Sequence, residues 1–393
     1  MNKERLWTKD FIVVSTTNFL IYLVFFLLMV IMASYAVDKY HATTGTGGLV
    51  SGIFIIGILI GRLGTGRIIE DVGSRRVLVI GTLLYIITST LYFAAINLPL
   101  LILMRFLHGF AFGVANTATG TIAAQIIPRG RHGEGIGYYS MSQILATALG
   151  PYLGIVLSQR VDFKMIFLIA SLVAAISFAI SFVVSQPSYK PPKQVKTKTV
   201  KQFQISEFLE FRAIPISIIV LIVGFGYSVV LSFLSLYSRQ LCLEEAASFF
   251  FLIYAIVVIF SRPFSGRLLD ARGANFVVYP CILFFSIGML VLSQATYGIT
   301  LLLSGAIIGL GYGNFLSCGQ AISVKSTSPN RFGLATATYY MFLDIGFGVG
   351  PYLFGSLVPV TGYRGLYFVM AMVILSTTLL YYFLYRKSLH FSR

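Results

Sequence analysis

Thirteen acidic residues occur in the 393-residue chain, and twelve of them fall at the ends of long apolar runs or between them. The exception is Asp344, which stands inside the run 332–357. Two opposing influences act on a carboxyl placed there. A low dielectric favours the neutral acid, and a neighbouring cation favours the carboxylate. A group balanced between them can take up and release a proton as its surroundings alternate between wet and dry. The candidate cation is Arg105, one of three arginines inside apolar runs together with Arg62 and Arg262. At 1.5 Å per residue, Asp344 lies ~18 Å from one end of its run and Arg105 ~12 Å from the opposite end of its own. In a hydrocarbon core ~30 Å thick these depths coincide. An arginine at that depth is expected to face a cavity or a partner; snorkelling toward the helix end is the alternative. His108 follows three residues later and titrates near neutral pH when unperturbed; simple hydrogen-bonded packing would also explain it. Asp344, Arg105 and His108 are the candidate proton-handling set.

The runs that carry these residues define the class of the protein. Of all residues, 57% are hydrophobic and 11% charged, with a mean hydropathy of +0.86. A soluble domain carries about a quarter charged residues. Spanning helices are expected at about 10–36, 48–69, 77–95, 97–121, 135–160 and 163–186, then at about 213–237, 247–268, 276–295, 298–324, 332–357 and 363–387. Each is long enough to cross a bilayer, and only helices satisfy their own backbone there without a closed barrel. Sorting the 29 Lys and Arg residues puts 21 on the side of the termini and 5 on the other. The positive-inside rule then makes both termini cytoplasmic, in a cell membrane, the inner or plasma membrane if the source is bacterial. The net charge of +16 reflects this bias, and no nucleic-acid reader motif accompanies it. Cys242, Cys281 and Cys318 lack the spacing of a disulfide framework or metal site. The first apolar run is read as a retained helix. The polar, proline- and lysine-rich stretch 187–212 reads as a cytoplasmic linker between residues 1–186 and 213–393, each a six-helix half.

The halves repeat at an offset of 200 residues. Arg62, Gly66, Arg67, Glu70 and Gly73 are answered by Arg262, Gly266, Arg267, Asp270 and Gly273. Gly150-Pro151-Tyr152-Leu153 recurs as Gly350-Pro351-Tyr352-Leu353, Gly109 and Gly113 as Gly309 and Gly313, and Arg131 as Arg331. Constant register over so many positions indicates two copies of one unit. Two parallel repeats with a mid-membrane site between them describe a transporter architecture.

At these motifs the chain resembles the major facilitator superfamily. Gly66-x3-Glu70-x2-Gly73-x-Arg75-Arg76 is similar to its loop signature, with Asp71 where the family usually has a basic residue. The second copy keeps Gly266, Asp270 and Gly273 but loses the basic pair. The resemblance implies a cytoplasmic latch between helices, with the glycines forming a tight turn; setting the topology would explain Arg75 and Arg76 without a latch. Arg105-Phe-Leu-His108-Gly109 resembles the RxxQG element associated with proton coupling, His108 replacing Gln. Gly137, Ala146, Gly150, Pro151 and Gly154 resemble the antiporter signature of drug-exporting, DHA1-like branches, with Ala146 replacing a glycine. Close helix packing alone would also account for that small-residue ridge.

The resemblance implies an all-α membrane fold of twelve helices in two pseudo-symmetric halves. Helices 1, 4, 7 and 10 would line a central cavity with Asn18, Tyr22, Asn116, Tyr227, Ser232, Tyr312 and Asn314. Such a lining suits small amphipathic molecules. The expected function is proton-coupled efflux of drugs or metabolites by a functional monomer. The alternative is a dedicated carrier for one sugar, amino-acid derivative or metal-chelating compound, and a membrane sensor is a remote third reading. The sequence has no P-loop, paired metal-ligand spacing or defensible Ser/His/Asp set, so neither an enzyme nor a cofactor is expected, and a proton gradient is the expected energy source.

Overall fold

A computed structural model describes residues 6–128, 132–185, 209–327 and 332–390. The linker assigned to 187–212 falls mostly outside them, as do Arg131 and Arg331 and the side chains of Glu70 and Asp270.

The described residues form twelve long helices: α1 Lys9–Tyr40, α2 Thr44–Val72, α3 Ser74–Thr90, α4 Leu98–Ile126, α5 His132–Arg160, α6 Phe163–Ser181, α7 Ile214–Gln240, α8 Glu244–Arg272, α9 Asn275–Ser293, α10 Gly298–Lys325, α11 Phe332–Gly355 and α12 Val358–His390, the last kinked near its start at Gly362. Eleven are long and apolar enough to cross a membrane. The remaining one, α11, carries Asp344 and a run of glycines, tyrosines and threonines that dilute its hydropathy. Local chemistry sets several ends. The Asn97 side chain accepts a hydrogen bond from Leu100 N (2.9 Å) and Pro99 sits in the first turn, so α4 starts there.

The sequence ends the second helix at about residue 69 and assigns the tight turn to the motif's glycines together. The structure corrects this. α2 continues helically through Gly66 to Val72, and the turn is the single residue Gly73, at φ 96°. Likewise α8 runs past Gly266, and Gly273 alone turns the chain at φ 86°. Only glycine adopts that conformation without strain, so Gly73 and Gly273 are the turn residues of the motif and Gly66 and Gly266 are not.

By contacts the chain divides into unit 1, residues 1–36 and 53–199, and unit 2, residues 37–52 and 200–393. Residues 37–52, read from sequence as part of the first half, thus cluster with the second. Within unit 2, Gly48 and Gly52 let the start of α2 lie directly on the carbonyls of Pro351 and Gly348. The internal packing of the units corresponds. In unit 1, α3 packs on α4 and α6; in unit 2, α9 packs on α10 and α12. Glycines allow these approaches: Gly109 of α4 sits against the Phe54 carbonyl of α2, and Gly309 of α10 sits against the Tyr254 carbonyl of α8. A Cβ at Gly109 would overlap the backbone of Phe54. Gly109→Ala is therefore expected to destabilise unit 1 by about 1–3 kcal/mol through overpacking. Thermal melting of the detergent-purified protein reads this as a lowered Tm, and an unchanged Tm would refute the contact.

Candidate functional site

In unit 1 the site is built on one face of α4. Arg105, His108 and Phe112 are three, then four residues apart, so they line up on that face. Arg105 and His108 are both 0% exposed. The Arg105 guanidinium lies 4.5 Å from the centre of the Phe54 ring and donates from NH1 to the Tyr92 hydroxyl oxygen at 3.3 Å. Its NH2 lies 3.9 Å from Met29 Sδ. Tyr92 sits in the 3₁₀ turn Leu91–Ala94 that ends α3, and its hydroxyl is 2.9 Å from His108 Nδ1. Arginine can only donate. The phenolic hydrogen is thus left to point at Nδ1, which places the imidazole proton on Nε2. That Nε2 is buried with no hydrogen-bond partner. The Tyr85 ring covers the imidazole at 4.4 Å, fixed by its own hydroxyl donating to Ile21 O at 2.9 Å. The result is a charged group and a buried imidazole joined through one phenol.

The polar residues expected to line a cavity in this unit have a second task. Asn18 Nδ2 donates to Ser142 Oγ (2.7 Å), and Asn18 Oδ1 accepts from Asn116 Nδ2 and Thr119 Oγ1, both at 3.1 Å. Arg62 NH2 donates to Asn116 Oδ1 at 3.4 Å. These bonds tie α1, α2, α4 and α5 together. Tyr22 is half-buried, its ring against Phe112. The helix-5 signature packs on α1: Gly150 meets Leu23, Phe26 and Leu27, Gly154 meets the Leu27 carbonyl, Ala146 is buried, and Pro151 lies within the helix. Gly137 lies in the same helix.

Near the turn at Gly73, Arg75 NH2 donates to the Phe182 carbonyl at 3.1 Å, which serves the end of α6. Arg76 and Asp71 are exposed.

Unit 2 has a different chemistry. Tyr227 of α7, Tyr254 of α8 and Tyr312 of α10 cluster, and Tyr227 and Tyr312 stack at 3.9 Å and 11°. Asp344 of α11 is half-buried and within electrostatic reach of Tyr312. Ser232 Oγ is buried without a hydrogen-bond partner. Asn314, by contrast, donates to Ser261 Oγ and accepts from Ser265 Oγ, each at 2.8 Å, bracing α10 on α8. Arg105 belongs to unit 1 and Asp344 to unit 2. Sequence reading missed Tyr92, Phe54 and Tyr254. The repeat held a signal for the last two, since Phe54 and Tyr254 are 200 residues apart. Among the described residues, no cluster of His, Cys, Asp or Glu could hold a metal ion.

The Major Facilitator Superfamily profile matches residues 14–295 and 244–392. The chain belongs to the major facilitator superfamily. It is a secondary transporter of that type and not an enzyme. The uncharacterized MFS-type transporter MJ1560 of Methanocaldococcus jannaschii is 24% identical over 364 residues, covering 91% of this chain and 94% of that protein. The multidrug resistance protein MdtG of Escherichia coli is 22% identical over 378 residues, covering 94% and 92%. Among solved structures, a bacterial homolog of the human lysosomal transporter Spinster, in an inward-facing and unoccupied conformation, superposes with a TM-score of 0.79 at 14% identity over 98% of each chain. The nucleoside transporter NupG gives 0.74 at 15% identity, over 96% of this chain and 99% of its own. These structural likenesses show that this superfamily member has their multi-pass helical fold.

Proposed function

We propose that this transporter is a proton-coupled exporter of small amphipathic molecules, of the DHA1-like branch, working as a monomer in the cell membrane with both termini cytoplasmic. The reading is carried by the fully buried Arg105–Tyr92–His108 arrangement, which puts a fixed positive charge beside an imidazole inside a spanning region. Intramembrane ionisable groups are costly and mark ion pathways. Asp344 is the coupling acid. Its protonated and ionised forms favour different states of the carrier, so proton release drives the return step. Export as the direction draws on the α5 ridge of Gly137, Ala146, Gly150, Pro151 and Gly154 and on the likeness to a multidrug resistance protein. Glu70, Asp71, Arg75, Arg76 and Asp270 act as the cytoplasmic latch around the glycine turns.

The test is flux in proteoliposomes with an imposed pH gradient, using a panel of fluorescent dyes, antibiotics, sugars and amino-acid derivatives. Several chemically unrelated amphipathic compounds are expected to move against their gradients, in exchange for protons. Acceptance of a single sugar or amino-acid derivative would establish the dedicated carrier instead, and gradient-independent flux would refute coupling.

A further inference from the structure

Each unit holds a three-ring aromatic cluster at matching positions. In unit 1, the Phe25–Phe54, Phe25–Phe112 and Phe54–Phe112 centroids are 5.2, 5.3 and 5.8 Å apart. In unit 2, Tyr227–Tyr254, Tyr227–Tyr312 and Tyr254–Tyr312 are 5.4, 3.9 and 6.4 Å apart. Phe54 and Phe112 precede Tyr254 and Tyr312 by 200 residues, and Phe25 precedes Tyr227 by 202. Other contacts confirm that register. Tyr35 packs on Phe163 and Phe167, and Tyr237 packs on Tyr363 and Tyr367, with the same two offsets. Every ring of the unit 2 cluster therefore carries a hydroxyl that its counterpart lacks.

Packing does not require those hydroxyls, since the phenylalanine cluster packs without them. A buried hydroxyl without a partner costs about 1–3 kcal/mol. Tyr227 is 2% exposed and its hydroxyl makes no hydrogen bond. The Tyr254 hydroxyl is its neighbour and interacts with it side chain to side chain, short of full hydrogen-bond geometry. A second asymmetry lies beneath Tyr312. It belongs to the π-helical turn Gly309–Gly313, whereas Phe112 lies in regular α-helix. Such turns recur at functional sites. Relaxing this one to α-helix shifts the register by one residue and swings Tyr312 about the helix axis by roughly 100°. Tyr312 lies parallel to Tyr227 on its flat face. Its departure bares that face and leaves the orphan hydroxyl at its edge. The shape that fits there is the one that left: a flat ring with a hydrogen-bonding edge.

We propose that Tyr227, Tyr254 and Tyr312 form the substrate-discriminating subsite of unit 2, and that it takes planar aromatic or heteroaromatic compounds bearing a hydrogen-bonding group, the substrate ring replacing Tyr312 against Tyr227. This rests on the small-molecule exporter reading and narrows its substrate class. Tyr312 is within electrostatic reach of Asp344, so its displacement also alters the surroundings of the coupling acid.

The test compares the wild-type chain with Tyr227→Phe and with the triple change Tyr227→Phe, Tyr254→Phe, Tyr312→Phe. The triple variant reproduces the unit 1 cluster, which this chain already packs, so it is expected to fold. Thermal stabilisation and titration calorimetry on the purified full chain use acriflavine, norfloxacin and quercetin as planar hydrogen-bonding probes, with pyrene and maltose as controls. At least one planar hydrogen-bonding probe is expected to bind the wild type, with neither control binding. Its Kd is expected to rise at least about tenfold in both variants. Equal affinity in the triple variant, or no binding of the three planar probes to the wild type, overturns the proposal. Binding is measured without a pH gradient, so failure of the exporter reading shows separately, as absent driven flux despite intact binding.

Discussion

Asp344→Asn is expected to abolish pH-gradient-driven flux, leaving a residual rate at least ~100-fold below wild type, equivalent to about 2.7 kcal/mol. Asparagine copies the size and hydrogen bonding of a protonated carboxyl but has no proton to release. The variant is thus held in one of the two forms through which coupling must cycle. Substrate-for-substrate exchange needs no net proton movement and is expected to persist, along with wild-type expression and helix content. That combination separates a coupling role from a folding or binding role. A variant that still accumulates substrate at the wild-type rate under the same gradient would remove Asp344 from the mechanism.

Arg105→Lys is expected to lower driven flux between about 10- and 150-fold although the charge is kept. The guanidinium lies over the Phe54 ring, donates to Tyr92 and approaches Met29 Sδ. A lysine ammonium is a compact, strongly hydrated point charge that cannot lie flat on a ring. The loss combines a cation–π contact of about 0.5–2 kcal/mol and a hydrogen bond of about 1 kcal/mol. Tyr92→Phe removes the phenol that joins Arg105 to His108 but keeps the ring stacked on Phe167 at 5.1 Å. Its effect on flux is expected to be smaller than that of Arg105→Lys. Flux assays on both variants, beside circular dichroism and melting curves, check this. Wild-type flux in Arg105→Lys would show that the positive charge alone matters and the phenol-linked geometry does not.

Much of the architecture was legible because it is written in spacings. Helix number follows from apolar run length and from the separation of Lys and Arg between two sides, which one missed helix would scramble. The repeat follows from Gly109/Gly309 and Gly150/Gly350, whose missing side chains let backbones touch. Asp344 and Arg105 stood out because charge is rare in such runs. The rest depended on information that spacing does not carry. Gly309-Leu-Gly-Tyr-Gly313 reads as a flexible stretch of α-helix, and nothing in its composition separates a π turn from a regular one. Tyr92 lies beyond the helices expected to line a cavity, at the end of α3, so its bond to His108 depended on how α3 packs on α4. Gly66 resembled a turn residue as much as Gly73 did, and only the backbone angle tells them apart. Asn18 and Asn116 looked like cavity groups by their helices, yet their amides bond to each other and across to α5.

The most direct measurement follows protons instead of substrate. Proteoliposomes holding the wild-type chain are loaded with a trapped pH-sensitive dye, and a substrate gradient is imposed with no initial pH difference. Proton-coupled exchange predicts a change in lumenal pH that begins with substrate addition, reports proton movement opposite to the substrate's, and is absent in Asp344→Asn. Substrate flux at an unchanged lumenal pH would contradict it.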